Sequence, residues 1–221
     1  MADATRHHHH GRFEEAAASW DEAAHAAERR VDREEAEYRR ARAFVRMGRE
    51  DEALPILDAL ARHRPIARRT VRARFDAALI RLERGEIERA HRALEWVVRE
   101  RSEDGPAGRS LRLLLESKEG EPIAARIAWL DDVYGDVADT DLGDDVLMAR
   151  AELEREAGDR GRAVATLEAL VERYPYPHGQ RWDDALDRLA DLAQEAGDHA
   201  RLTLAKSLLA MGREDQRPLA I

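Results

Sequence analysis

Six glycines, Gly11, Gly48, Gly85, Gly120, Gly158 and Gly197, punctuate this chain at intervals of 37, 37, 35, 38 and 39 residues. An alanine stands five positions after each of the first five: Ala16, Ala53, Ala90, Ala125 and Ala163. A period in this range is the signature of stacked two-helix units, each of which buries its apolar face only against its neighbours. A unit of that kind has no core of its own, so the chain must fold as an array.

The glycines close helical runs, as in 43–48, 80–85 and 153–158. Glycine there takes up the left-handed conformation without a Cβ clash and caps the last turn. An acidic residue follows shortly in most units (Glu50, Glu86, Glu121, Asp159, Asp198), suited to the positive N-terminus of the next helix. Seven residues before the glycines stand Ala4, Ala41, Ala78, Ala151 and Ala190, with Leu113 the exception. These alanines, with those five after the glycine, predict close helix crossings. Nine and twelve after the glycine come Trp20, Leu57, Leu94, Trp129 and Leu167, then Ala23, Leu60, Val97, Asp132 and Leu170, the apolar stripe of each second helix. Pro65 and Pro175, each seventeen after its glycine, close two units where a helix cannot continue.

Composition agrees with an all-helical protein: 38% charged residues, 5% aromatic residues and abundant Ala, Leu, Arg and Glu. The absence of cysteine excludes disulfides, thiolate catalysis and cysteine-based zinc sites. No apolar run approaches the roughly 18 residues of a membrane span, and residues 1–12 lack the apolar stretch of a secretion signal. The net charge of −9 conceals an asymmetry: residues 1–60 sum to −4, 61–120 to +5 and 121–221 to −10. A nucleic-acid binder would carry a larger and more continuous basic footprint, so none is expected as a partner.

Small residue, glycine, small residue, large apolar residue and closing proline at this spacing resemble the tetratricopeptide repeat. The resemblance implies a right-handed α-solenoid of helix-turn-helix units near 33–65, 66–103, 106–136, 141–176 and 180–212. A truncated first repeat is expected over 1–32, and a frayed tail over 213–221. The Gly48 unit fits best, and the Gly120 unit is the loosest. A narrower resemblance covers 136–200, where 144–151, 170–175 and 182–190 are similar to bacterial envelope repeat proteins, namely outer-membrane assembly lipoproteins and the Tol–Pal coordinator. It implies an extracytoplasmic scaffold if an N-terminal portion is missing. As it stands, the chain reads as cytoplasmic.

Candidate chemistry is sparse. Imidazoles at His7 and His10 share a helix face and could hold a metal, but no acidic third ligand is expected beside them, so no metal site is expected. Asp139, Asp141, Asp144 and Asp145 fail the calcium-loop pattern, with Asp144 where glycine belongs and Arg150 where glutamate belongs, and read as helix capping. No phosphate loop, nucleophile elbow or zinc-protease motif is present, so no enzyme and no cofactor are predicted. The basic run Arg62, Arg64, Arg68, Arg69, Arg72 and Arg74 could attract phosphate but lacks interleaved aromatics.

The family resemblance implies that first helices line a groove that binds another protein. Counting back from each glycine places there Tyr38, Arg42 and Arg46, then Arg72, Phe75, Leu79 and Glu83, then Ser110, Leu114 and Lys118. Asp145, Met148, Glu152 and Glu156 follow, then Asp184, Asp187, Asp191 and Glu195. Such a groove is basic at one end and acidic at the other. The carboxylate clamp of chaperone-binding members is absent, its positions holding Tyr38, Arg42, Asp76, Ala107 and Leu111. The expected function is a non-enzymatic interaction scaffold binding a peptide or helix. The alternative is a structural subunit packing through the array ends, with self-association through the N-terminal half-repeat.

Overall fold

A computed structural model describes residues 2–215, with side chains for 4–7 and 10–212. Of the frayed tail expected over 213–221, residues 213–215 instead continue the last helix, and 216–221 lie outside the described residues. The described chain folds into helices joined by short turns: α1 (Ala2–His9), α2 (Phe13–Ala26), α3 (Arg30–Arg46), α4 (Glu50–Ala61), α5 (Arg68–Glu83), α6 (Ile87–Glu100), α7 (Ala107–Ser117), α8 (Ile123–Val137), α9 (Leu142–Glu156), α10 (Arg160–Arg173), α11 (Trp182–Ala196) and α12 (His199–Asp215). They fall into two compact units, Met1–Pro106 and Ala107–Ile221, each built from three helix pairs. Within each unit a second helix packs on the first helix of the following pair, and on its own partner except at α7 and α8, where α7 and α8 both pack on α9. Each unit has the all-α architecture of helix-turn-helix repeats expected of a solenoid.

Five of the six period glycines carry a left-handed backbone, with φ of +71° at Gly11, +68° at Gly48, +74° at Gly85, +80° at Gly158 and +71° at Gly197. That conformation turns the next amide back on the finished helix. Arg49 N–H donates to the Phe44 carbonyl at 2.9 Å, and Asp159 N–H to the Glu154 carbonyl at 2.9 Å. Of the acidic residues that follow, Asp159 and Asp198 cap with their side chains, accepting from the amides of Arg162 and Arg201 at 3.0 Å each. Glu86 occupies the equivalent place before α6 but makes no cap bond, and its longer side chain pairs with Arg89 at 2.7 Å instead.

Ala41, Ala53, Ala78, Ala90 and Ala163 are wholly buried, and Leu57, Leu94 and Leu167 beside them expose no surface. The Gly120 unit departs from this register. Gly120 is not left-handed. Helix α7 stops at Ser117, and the chain enters α8 through Pro122 at the N-cap. The longer turn shifts α8 by one position. Ile127, Leu130, Val133 and Val137 are buried, whereas Ala125 and Asp132 are exposed and Trp129 is only half-buried. The expected placement of Ala125 at a close crossing and of Trp129 in the main stripe is thereby corrected, and Asp132 ceases to be an anomaly. Gly212 does not end the last helix either. It lies inside α12 against Trp182, where an added Cβ would come within 2.7 Å of the ring.

This contrast is testable by substitution. Gly158→Ala should cost about 1 kcal/mol in chemical denaturation, because a Cβ is strained at that φ even though the space around it is open. Gly120→Ala, also with open space but no left-handed backbone, should be neutral or stabilising by roughly 0.4–1 kcal/mol.

Candidate functional site

In the first unit α3 and α5 are joined by polar side-chain contacts, Tyr38 to Asp76 and Arg69 to Glu35. Tyr38 is buried and its hydroxyl donates to Asp76 at 2.7 Å, tying the two first helices together. Burial and the neighbouring Asp76 carboxylate push the Tyr38 phenol well above its ordinary pKa, while Arg42 and Arg72 pull it back. Those two guanidiniums therefore lie near enough to Tyr38 to act on it. Both are exposed, as is Arg46, and none of the three has a carboxylate partner among the described residues. Beside them a cleft of about 110 Å³ is lined by Trp20, Tyr38, Arg39, Arg42 and Arg69. Arg39 lies over the Trp20 ring at 5.3 Å and Arg69 over the Tyr38 ring at 4.7 Å. Glu35 holds both arginines. Burial raises its pKa, but the hydrogen bonds from Arg39 and Arg69 prevail and keep the carboxyl below the usual range.

Other residues expected on this face are placed differently. Phe75 is 5% exposed and Leu79 half-buried, so both serve mainly to pack α5; Glu83 is exposed.

The second unit has an apolar cleft of about 290 Å³ whose lining includes Leu111, Leu115, Met148 and Ala149, with Arg112, Asp145, Glu152 and Arg181 around them. Leu114 is wholly buried and Ser110 likewise, so neither meets the surface. Lys118 is turned onto Trp129, its ammonium 5.4 Å from the ring, and pairs with Glu121 at 3.2 Å. The carboxylates expected as an acidic surface are compensated locally. Arg181 binds Asp145 at 2.6 Å and Asp184 at 3.0 Å. Arg188 binds Glu152 at 2.6 Å and lies 3.5 Å from Asp191. Glu195 pairs with Arg160 at 2.9 Å, Glu156 lies 3.9 Å from Arg126, and Asp187 also has a partner. Arg181 and Arg188 were not expected. Arg181 precedes the first residue of α11, outside the span counted back from Gly197.

The aspartate loop does cap a helix, but not its own. Asp141 is the N-cap of α9 and makes no side-chain cap bond. Asp144, 1% exposed, instead accepts from the Arg181 amide at 3.0 Å, at the start of α11 in the next repeat. Asp139 pairs with Arg173 at 2.5 Å. At His7 and His10 the metal question is limited by His8 and His9, whose side chains lie outside the described residues. Among the described residues no group of three or more His, Asp or Glu side chains is placed to hold a metal.

With this geometry in place, comparison identifies the repeats. Two segments, 35–65 and 145–175, match the tetratricopeptide repeat family. Those segments coincide with two of the helix-turn-helix repeats, α3–α4 and α9–α10. Solved structures that match include the nearly identical tetratricopeptide-like repeats of a Podosopora anserina putative kinesin light chain, at 15% identity, 97% coverage of this chain, 94% of that one and a TM-score of 0.39. A variant of those repeats matches at 17% identity, with 96% and 91% coverage and a TM-score of 0.39. The tetratricopeptide domain of P58(IPK) matches at 19% identity, covering 98% of this chain and 59% of that one, with a TM-score of 0.35. No curated protein matches. The narrower resemblance of 136–200 to bacterial envelope proteins is corrected: the similar structures are a fungal putative kinesin light chain and P58(IPK), not Tol–Pal or outer-membrane assembly proteins.

Asp144 supplies a pH test. Burial raises its pKa above the ordinary 3.8, outweighing the amide of Arg181 that favours the charged form. A raised folded pKa contributes stability that is complete below the unfolded value and lost as pH rises through the folded one. The stability of Asp144→Asn relative to the native chain, followed by urea midpoints from pH 3 to 7, should therefore increase with pH. A pH-independent difference would refute this assignment.

Proposed function

We propose that this chain is a non-enzymatic protein-interaction scaffold whose first unit takes an acidic segment of a partner protein across the α3–α5 face. The observation that carries this reading is the state of Arg42 and Arg72: both are exposed, neither forms an ion pair among the described residues, and both act electrostatically on Tyr38, which is hydrogen-bonded to Asp76. That bond fixes the spacing of the two helices, so the guanidiniums are presented on a rigid frame and need little ordering when a carboxylate arrives. Arg46 extends the positive surface by one turn along α3. The cleft with Trp20 and Tyr38 beneath Arg39 and Arg69 adds an aromatic lining for a side chain next to the acidic one.

The second unit supports a complementary role. Its carboxylates are held by Arg181 and Arg188, and its free surface is the apolar cleft around Met148 and Leu115 with exposed Arg112 at the edge. An apolar anchor of a bound segment suits that cleft, while a basic segment gains little from carboxylates already paired.

Selection of binding peptides from an unbiased library with the full chain tests the reading. Peptides enriched in Asp and Glu are expected, and Arg42→Glu/Arg72→Glu should weaken the best of them at least tenfold with circular dichroism unchanged. Peptides without acidic enrichment, or equal binding by the variant, would overturn it.

A further inference from the structure

The basic run 62–74 does not stay together in the folded chain. Arg69 and Arg72 face the Tyr38 surface, whereas Arg62 and Arg74 line a separate cavity in which α4, α5 and α6 meet. This cavity, about 310 Å³, is lined by five arginines: Arg62 at the end of α4, Arg74 and Arg81 on α5, and Arg89 and Arg92 on α6. The spacing explains the convergence. Arg74 and Arg81 are seven apart and share one face of α5, while Arg89 and Arg92 are three apart on the first turns of α6.

Charge compensation there is incomplete. Asp58 is the one carboxylate lining the cavity, and Glu86 lies next to Arg89 at 2.7 Å. Five guanidiniums facing two carboxylates leave a formal excess of three positive charges. Arg81, whose side chain is 9% exposed, uses a single nitrogen, Nη2, to hold both oxygens of Asp58 at 2.7 Å each. Its Nε is buried without a hydrogen-bond partner, the Glu86 carboxylate being 3.9 Å away. Arg74 is stacked 3.8 Å from the centre of the Trp96 ring and donates to the Ala61 carbonyl at 3.2 Å. Burial, aided by nearby Arg64, lowers its pKa, the condition of a cation that lacks an anion. Arg62 and Arg92 are exposed at the edge with no carboxylate partner among the described residues.

We propose that this cavity binds a phosphoryl-bearing ligand. The guanidinium forks match tetrahedral oxyanions in geometry as well as charge, and the buried Arg81–Asp58 pair and the Arg74–Trp96 stack hold two of them in fixed orientation before a ligand arrives. The volume admits one or two phosphoryl groups and excludes a folded peptide element. A phosphorylated side chain of a partner protein and a free phosphorylated small molecule share this chemistry. The site is distinct from the Arg42–Arg72 surface and does not depend on it.

Calorimetry on the full chain at low salt tests the proposal with inorganic pyrophosphate, inorganic phosphate, a phosphoserine peptide and the same peptide unphosphorylated. Pyrophosphate should bind at least tenfold more tightly than phosphate. Arg62→Gln/Arg92→Gln, both exposed and outside the core, should weaken pyrophosphate at least tenfold, whereas Arg42→Gln/Arg72→Gln should leave it unchanged. Binding of the phosphoserine peptide in preference to its unphosphorylated form assigns the phosphoryl group to a protein partner. Pyrophosphate binding alone assigns it to a small molecule, and either result upholds the site. Absence of pyrophosphate binding, or equal loss in both double variants, would overturn it.

Discussion

Ala41, Ala53, Ala78, Ala90 and Ala163 expose no surface, and at those positions paired helices meet with nothing larger than a methyl group between them. Every other feature follows from that proximity. It brings Leu57, Leu60, Leu94 and Val97 into contact with the neighbouring helices, where each large side chain is removed from water completely or nearly so. Burial of that kind is worth roughly 1.5–3 kcal/mol per side chain and compensates for units too small to own a core.

Close crossing also sets the functional surfaces. Tyr38 on α3 can reach Asp76 on α5 only because α3 and α5 are neighbours in the stack, and that bond spaces Arg42 and Arg72. The same helix α5 presents Arg72 on one side and Arg74 and Arg81 on the other. One helix of sixteen residues therefore contributes arginines to two separate sites, the surface beside Tyr38 and an open cleft. In the second unit Arg181, just before α11, and Arg188 within it neutralise carboxylates of α9, leaving an apolar cleft where sequence alone suggested an acidic one.

Much of the fold was legible in the sequence because its cause is local. A left-handed turn needs glycine and a close crossing needs alanine, so both leave a mark at a fixed spacing. The spacing of the Gly120 repeat misleads where the turn gains length: the chain enters α8 through Pro122 and α8 is shifted by one position, so spacing alone points to Trp129 and Asp132 rather than Leu130 and Val133. The surfaces were less legible. Positions of Arg42 and Arg72 could be counted from the glycines, but their lack of partners depends on which carboxylates approach in three dimensions. Leu114 had the right spacing for a groove and is core. The five-arginine cavity draws on three helices of two repeats, and in the sequence only Arg62 and Arg74 stood in a conspicuous basic run. Asp144 was expected near its own helix start, yet its contact is with Arg181, 37 residues away.

The measurement that bears most directly on this account is the denaturation midpoint of Ala53→Leu. The alanine methyl is wholly enclosed, among Phe44, Leu57 and the other members of its core cluster, so the larger side chain has no space to enter without parting the helices. The account predicts a loss of about 1–3 kcal/mol or more with helical content retained in the absence of denaturant. An unchanged or raised midpoint would show that close crossing at the alanines is not what holds the repeats together.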